Sequence, residues 1–193
     1  MNTSNLKKVA PKARIAFINA ITARAAEFGI TAQGCAEPVI SGEVLQVGNF
    51  THPAKIAFSL QRLQQKVAEL GFAQLMEQMA YTWFNRFSAL RFMEVNNYLP
   101  SRIRVFTDES GNFKPEILAE AIHLDLDGLD MEKVYALKDV NDNDALFKYL
   151  VITQCNALSG VLPGMFQKIA DYTELLFPDN LLREGSVIER MIS

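Results

Sequence analysis

The side chains able to do chemistry in this 193-residue chain are sparse, and the densest set lies in one apolar stretch. Asn85, Arg86, Arg91 and Glu94 stand within 80–94, among Trp83 (the only tryptophan), Phe84, Phe87, Leu90 and Phe92. An ionised group in such surroundings is costly unless it is paired and hydrogen-bonded. Glu94 follows Arg91 by about one helical turn, so the two can pair. These four residues are expected either to form an internal polar network that fixes helix packing, or to serve an interface with DNA or a neighbouring domain. A second set is basic: Lys7, Lys8, Lys12 and Arg14 near the start, Arg102 and Arg104 in the middle. Cations at the mouth of a helix can hold nucleic-acid phosphates; the alternative is a solvated helix face. Arg102 and Arg104 bracket an expected strand, where they either guard its edge from pairing or contact phosphates.

Other groupings fail on their chemistry. Asp139-Val140-Asn141-Asp142-Asn143 opens like a calcium loop, but its sixth position is Asp144 instead of Gly and its twelfth is Leu150 instead of Glu. His123, Asp125 and Asp127 alternate without a fourth ligand, which reads as a solvated loop. His52 precedes Pro53 with no nucleophile nearby. Glu37, Glu43, Glu69 and Glu77 are scattered and form no carboxylate pair. Cys35 and Cys155 are in no metal spacing; a disulfide is open, but two buried free thiols are expected. No metal site and no catalytic residue is expected.

The elements that must position these residues read as mainly helical. Pro11 suits the first turn of a helix running to about Phe28, with Ile15, Ile18, Ile21, Ala25 and Phe28 as its stripe and Gly29 as its cap. Residues 37–51 read as a small β-hairpin, Val39-Ile40 against Val44–Val47. Pro53 opens a second helix ending near Leu70. The long helix follows from about 73 to 96, ended by Asn97 and Pro100. Ala80, Trp83, Phe84, Phe87, Leu90, Arg91 and Glu94 share one face of it, and Tyr81 and Phe92 lie opposite. A helix apolar nearly all round is expected to be buried from two sides. Ile103–Phe106 alternates as a short strand, and 108–112 reads as a turn. Pro115 starts a short helix. Asp130 caps a helix at 131–138, and Asp142 or Asn143 caps one across 144–158, with Leu146, Leu150, Ile152 and Leu158 inside. Ser186-Val187-Ile188-Glu189 is a capping box. A chain that stops about two turns beyond such a box looks cut.

The segment Tyr81-Thr82-Trp83-Phe84-Asn85-Arg86-Phe87-Ser88-Ala89-Leu90-Arg91-Phe92-Met93-Glu94 resembles a signature near the start of the BREX (bacteriophage exclusion) adenine-specific DNA methyltransferases. The start Met-Asn-Thr-Ser-Asn-Leu-Lys, the segment 154–158 and the segment 174–183 resemble that family in the same order. Its proteins are much longer, so the resemblance implies an N-terminal region only. It implies a parent that transfers a methyl group from S-adenosylmethionine to adenine in DNA and marks self DNA in phage defence. The family's catalytic parts are a Gly-rich cofactor turn and an Asn/Asp-Pro-Pro-Tyr/Phe loop. This chain has no Gly-x-Gly and no Pro-Pro pair. No catalytic residue carries over, and no cofactor is expected in the chain itself.

Composition fits an ordinary globular chain, 49% hydrophobic and 21% charged. No apolar run approaches the ~18 residues of a membrane span, and the start lacks a secretory h-region; a cytoplasmic location is expected. Residues 1–104 hold 12 Lys/Arg against 6 Asp/Glu, and residues 105–193 hold 7 against 16. The basic half can attract phosphates and the acidic half repels them; chance clustering on solvated faces is the plainer account.

The expected fold is mainly α (α+β), a helical bundle around the long helix with a hairpin insertion. One N-terminal helical domain over 1–193 is expected, cut at its C-terminal end, with a possible subdivision at 104/105. Its expected job is to support the catalytic domain and help hold duplex DNA or another defence protein. The alternative is an interaction scaffold that never touches DNA. A free-standing helix-turn-helix regulator is disfavoured, because no basic recognition helix is visible.

Overall fold

A computed structural model of the chain describes residues 3–169 and 171–192, with side chains from Pro11 onward. Eight α-helices and two small antiparallel sheets are present among the described residues. The fold is mainly α with a small β insertion. Two compact units divide the chain: Met1–Trp83 with Ala170–Asp179, and Phe84–Ile169 with Asn180–Ser193.

In the first unit, α1 (Thr3–Glu27) begins well before Pro11, which lies inside it rather than at its first turn. Pro11 removes one internal bond of the helix, and Ser4–Ala10 are nevertheless helical. Phe17, Ile21, Ala25 and Phe28 are buried; Ile15, expected in this stripe, is 60% exposed. Gly29 ends the helix at φ +68°, where an added Cβ would collide with the Val47 side chain. Only glycine meets both demands.

After a two-residue ribbon, β1 (Ile30–Thr31) and β2 (Gly34–Cys35), come β3 (Val39–Ser41), β4 (Val44–Val47) and β5 (Phe50–Pro53) in the order β3-β4-β5. The expected hairpin is therefore a three-stranded meander. Pro53 ends an edge strand, where a missing N–H breaks no shared ladder. The pleat turns Leu45 and Val47 inward together. His52 stacks on Phe28 at 4.6 Å, and its Nε2 donates to the Glu27 carbonyl at 2.8 Å, tying the sheet to the end of α1.

A single 3-10 turn leads into α2 (Ala57–Leu70), which buries Leu60 and Leu63. The Asp171 carboxylate of α7 (Asp171–Leu175) accepts from Arg62 at 2.9 Å and Ser59 at 3.1 Å, both on α2. The long helix α3 (Phe72–Val95) contributes Leu75, Met76, Met79 and Trp83 to this unit's core. Trp83 meets Phe177 edge-on at 4.8 Å.

The second unit takes the rest of α3, then α4 (Glu116–Ala119), α5 (Met131–Asp139), α6 (Asn143–Leu158) and α8 (Val187–Ile192). Phe87, Phe106 and Phe147 form an edge-to-face chain at 5.9 and 6.4 Å. Asp130 caps α5 by accepting from the Glu132 and Lys133 amides, and Asp142 caps α6 through the Ala145 amide. At α8 the Ser186 hydroxyl accepts the Glu189 amide at 3.2 Å, while the Glu189 carboxylate takes the Gly185 amide instead of that of Ser186.

Three expectations are corrected here. Tyr81 and Phe92 are 67% and 58% exposed, so α3 is buried along one side. The helix enclosed on most faces is α6, which buries Leu146, Phe147, Leu150, Val151, Cys155 and Leu158. Both cysteines are free, as expected, but Cys35 is exposed and only Cys155 is buried. Residues 103–106 are not a strand. The Ile103 amide donates to Ser101 Oγ, that of Arg104 to Glu116, and those of Val105 and Phe106 to Glu94. With its donors held by side chains, the segment needs no neighbouring strand.

Candidate functional site

Helix α3 carries every expected polar-network residue, and the structure distributes them over three environments. Glu94 is 3% exposed. Its Oε2 accepts the amides of Val105 and Phe106, each at 2.7 Å. Its Oε1 accepts the Thr107 hydroxyl at 2.7 Å and Arg91 Nη1 at 2.5 Å. Arg91 Nη1 also donates to Thr107 Oγ1 at 3.2 Å. A carboxylate offers about four acceptor positions, and all are taken. No lone pair remains for a substrate, so Glu94 acts as an anchor for 105–107 and not as a base.

Arg86 stands apart from that cluster. It is 7% exposed, and its Nη2 donates to the Gln167 carbonyl at 2.9 Å. Burial lowers its pKa below the ordinary arginine value, while Cys155 pulls the other way. Burial pushes the Cys155 thiol up to about 12, partly offset by the Arg86 charge. A thiol held protonated is no nucleophile. Asn85 belongs to neither group. It lines an open groove of about 790 Å³ together with Ser88, Ala89 and Phe92 of α3 and the loop 161–165.

The basic residues are likewise separated. Lys12 and Arg14 belong to the first unit, Arg102 and Arg104 to the second. The side chains of Lys7 and Lys8 lie outside the described residues. Lys12 is exposed, and Arg14 forms an ion pair with Glu77. Arg102 is exposed at φ 59°. Arg104 is half-buried, and its backbone bonds Glu116 and Ile117 at 2.9 Å each. Elsewhere in the first unit, Arg24 pairs with Glu27 and Asp179, Arg62 with Asp171, and Lys66 with Glu69. Only Asp171 and Asp179 come from outside residues 1–104, so these pairs offset two charges of that half's surplus.

Sequence reasoning missed Thr107, Glu116 and the groove. The first two lie 13 and 22 positions beyond Glu94, outside any helical period. The groove had a signal: Asn85, Ser88 and Ala89 are three of the smaller side chains in the helix, set at i, i+3 and i+4. Among the described residues no group of three or more His, Cys, Asp or Glu could hold a metal ion, and no helix is long and apolar enough to cross a membrane.

No protein-family model matches the chain. Over its whole length it is 34% identical, across 203 aligned residues, to the adenine-specific methyltransferase BrxX of Escherichia coli O9:H4 (strain HS). It is 35% identical over 198 aligned residues, covering 92% of the chain, to the adenine-specific methyltransferase PglX of Lacticaseibacillus casei (strain Zhang). The chain spans only 17% and 16% of the lengths of these two proteins.

Proposed function

On the premise that the chain is homologous, along its whole length, to part of the BREX adenine-specific methyltransferases, we propose that it is the non-catalytic N-terminal domain of such an enzyme. The parent reaction moves a methyl group from S-adenosylmethionine to the exocyclic amine of adenine in DNA, in the cytoplasm, as part of phage defence. Residues 1–193 support the catalytic part and help present it to duplex DNA or to other defence proteins. The observation that carries this reading is the 34% identity over the entire chain, confined to 17% of the relative.

The chemistry of the chain agrees with a supporting role. Its best-developed polar cluster is saturated internally around Glu94. Its sequence holds neither a Gly-x-Gly turn nor a Pro-Pro pair. An enzyme that extrudes a base must hold the duplex around the site, which gives an added helical domain a physical use. Lys7, Lys8 and Lys12 are the phosphate contacts we assign, because Arg14 is paired with Glu77.

A second reading, a scaffold that docks defence proteins without touching DNA, is favoured by one feature. Asp125, Asp127, Glu132, Asp139 and Asp144 are exposed and make no ion pair among the described residues. Unpaired surface carboxylates repel phosphates.

The test compares the gene product made at full length from its own locus with the 193-residue chain. The full-length protein should methylate adenine in duplex DNA. Calorimetric titration of the 193-residue chain with S-adenosylmethionine should show only heat of dilution. Saturable binding by the chain, or no methylation by the full-length protein, would refute the proposal.

A further inference from the structure

The groove in the second unit is built by two walls. One is the α3 face of Asn85, Ser88, Ala89 and Phe92, spaced i, i+3, i+4 and i+7; the other is the loop carrying Leu162 and Met165. None of the lining residues is charged. Phe92, Val161 and Met165 are 58%, 68% and 56% exposed. Contiguous exposed apolar side chains of this kind mark an interaction surface. Ser88 and Ala89 are small; the Ser88 hydroxyl lies 3.9 Å from the Met191 sulfur of α8, and Ala89 is 7% exposed. Asn85 is half-buried, and its side-chain amide brings a donor and an acceptor to this wall.

Chemistry selects the occupant. A nucleic-acid backbone needs cations, and the lining has none. A small molecule is normally enclosed on most of its surface, whereas this trough lies open. An apolar trough with a ridged helical wall suits the apolar face of a helix, which seats side chains at i, i+3, i+4 and i+7. An uncharged lining asks for an uncharged face.

We infer that the groove receives the apolar face of a helix from the polypeptide that the related methyltransferases carry outside the matched region. Those proteins are matched over only 17% and 16% of their lengths, so most of each lies beyond it. The inference rests on the reading above, that the chain works as part of such an enzyme, and it names the surface through which the support is given.

The test is hydrogen–deuterium exchange at 85–92 and 161–165 in the full-length gene product and in the 193-residue chain. Amides there should exchange at least about tenfold more slowly in the full-length protein, since a docked helix must leave before they open. The double variant Val161→Asp, Met165→Asp should abolish that protection. The same pair should leave the melting temperature of the 193-residue chain unchanged, because both positions are exposed in it. Equal exchange in the two proteins, or protection that survives the double variant, overturns the inference. If the full-length protein methylates adenine while the groove exchanges freely, only the groove assignment fails. If it does not methylate, the functional reading fails first. A native product of 193 residues overturns both.

Discussion

The Thr107 hydroxyl donates to Glu94 Oε1 at 2.7 Å, joining the last turn of α3 to a residue thirteen positions later. The same carboxylate holds the Val105 and Phe106 amides. Glu94→Gln swaps one acceptor for an amide donor that faces donors already present. It also leaves Arg91 without its ion pair. Breaking a buried charged pair costs about 3–5 kcal/mol, and Arg91 is part-exposed, so about 2–4 kcal/mol is expected here. The urea midpoint should fall accordingly; a midpoint within error of wild type would show that 105–107 is held by something else.

Gly29→Ala should be similarly harmful for a different reason. The backbone sits at φ +68°, and the new Cβ would collide with the Val47 side chain and stand 2.8 Å from the Ala36 Cβ. Left-handed strain of about 1–2 kcal/mol adds to overpacking of about 1–3 kcal/mol. Thermal unfolding should report a loss of at least about 2 kcal/mol. Gly160→Ala is the control, because its φ is not positive and no atom lies within 4 Å of its added Cβ.

The two cysteines should differ sharply in reactivity. Iodoacetamide at mildly alkaline pH should label exposed Cys35 and spare Cys155, so mass spectrometry finds one adduct on the native chain and two in urea. Burial raises the Cys155 pKa from 9.0 to about 12. A raised folded-state pKa contributes stability that is complete below the unfolded value and is lost as pH rises toward the folded one. Wild type should therefore lose up to about 1.4 kcal/mol per pH unit between pH 9 and 12 from this group alone. Cys155→Ala should lack that component of the slope.

Salt titration of DNA binding checks the basic start of the chain. In the full-length gene product, replacing Lys7, Lys8 and Lys12 with Gln should flatten the log–log slope by about 0.9 for each phosphate no longer neutralised. Arg14→Gln should change it less, because that cation is already paired with Glu77. An unchanged slope in the triple variant would leave the scaffold reading in possession.

Helix positions were largely legible from the sequence because their signals are local. Asp130 and Asp142 cap the helices they precede, and Gly29 closes α1. The strand β5 was hidden because Pro53 reads equally well as a helix opener and as the end of an edge strand. Arg91 and Glu94 are close in sequence, so their pairing could be read there. What Glu94 holds beyond Arg91 could not be, because Val105–Thr107 reach it through tertiary folding. Arg86 and Asn85 share the same helix stretch yet face different surroundings, a distinction that depends on where α6 and the 161–165 loop pack. The charge imbalance was countable, but its partial offset by Asp171 and Asp179 required the fold.

Ile103-Arg104-Val105-Phe106 has the alternation of a short strand, and unpaired strand amides are a template for pairing with another chain. In the folded chain its amides are occupied by Ser101, Glu116 and Glu94, so it offers no template to a stranger. Two acidic side chains thus act as gatekeepers from outside the segment they guard. The protection lasts only while α3 and α4 hold their places. A variant that loosens Glu94 releases a sticky tetrapeptide along with the fold, and its failure in a cell should appear as inclusion bodies before it appears as lost helix.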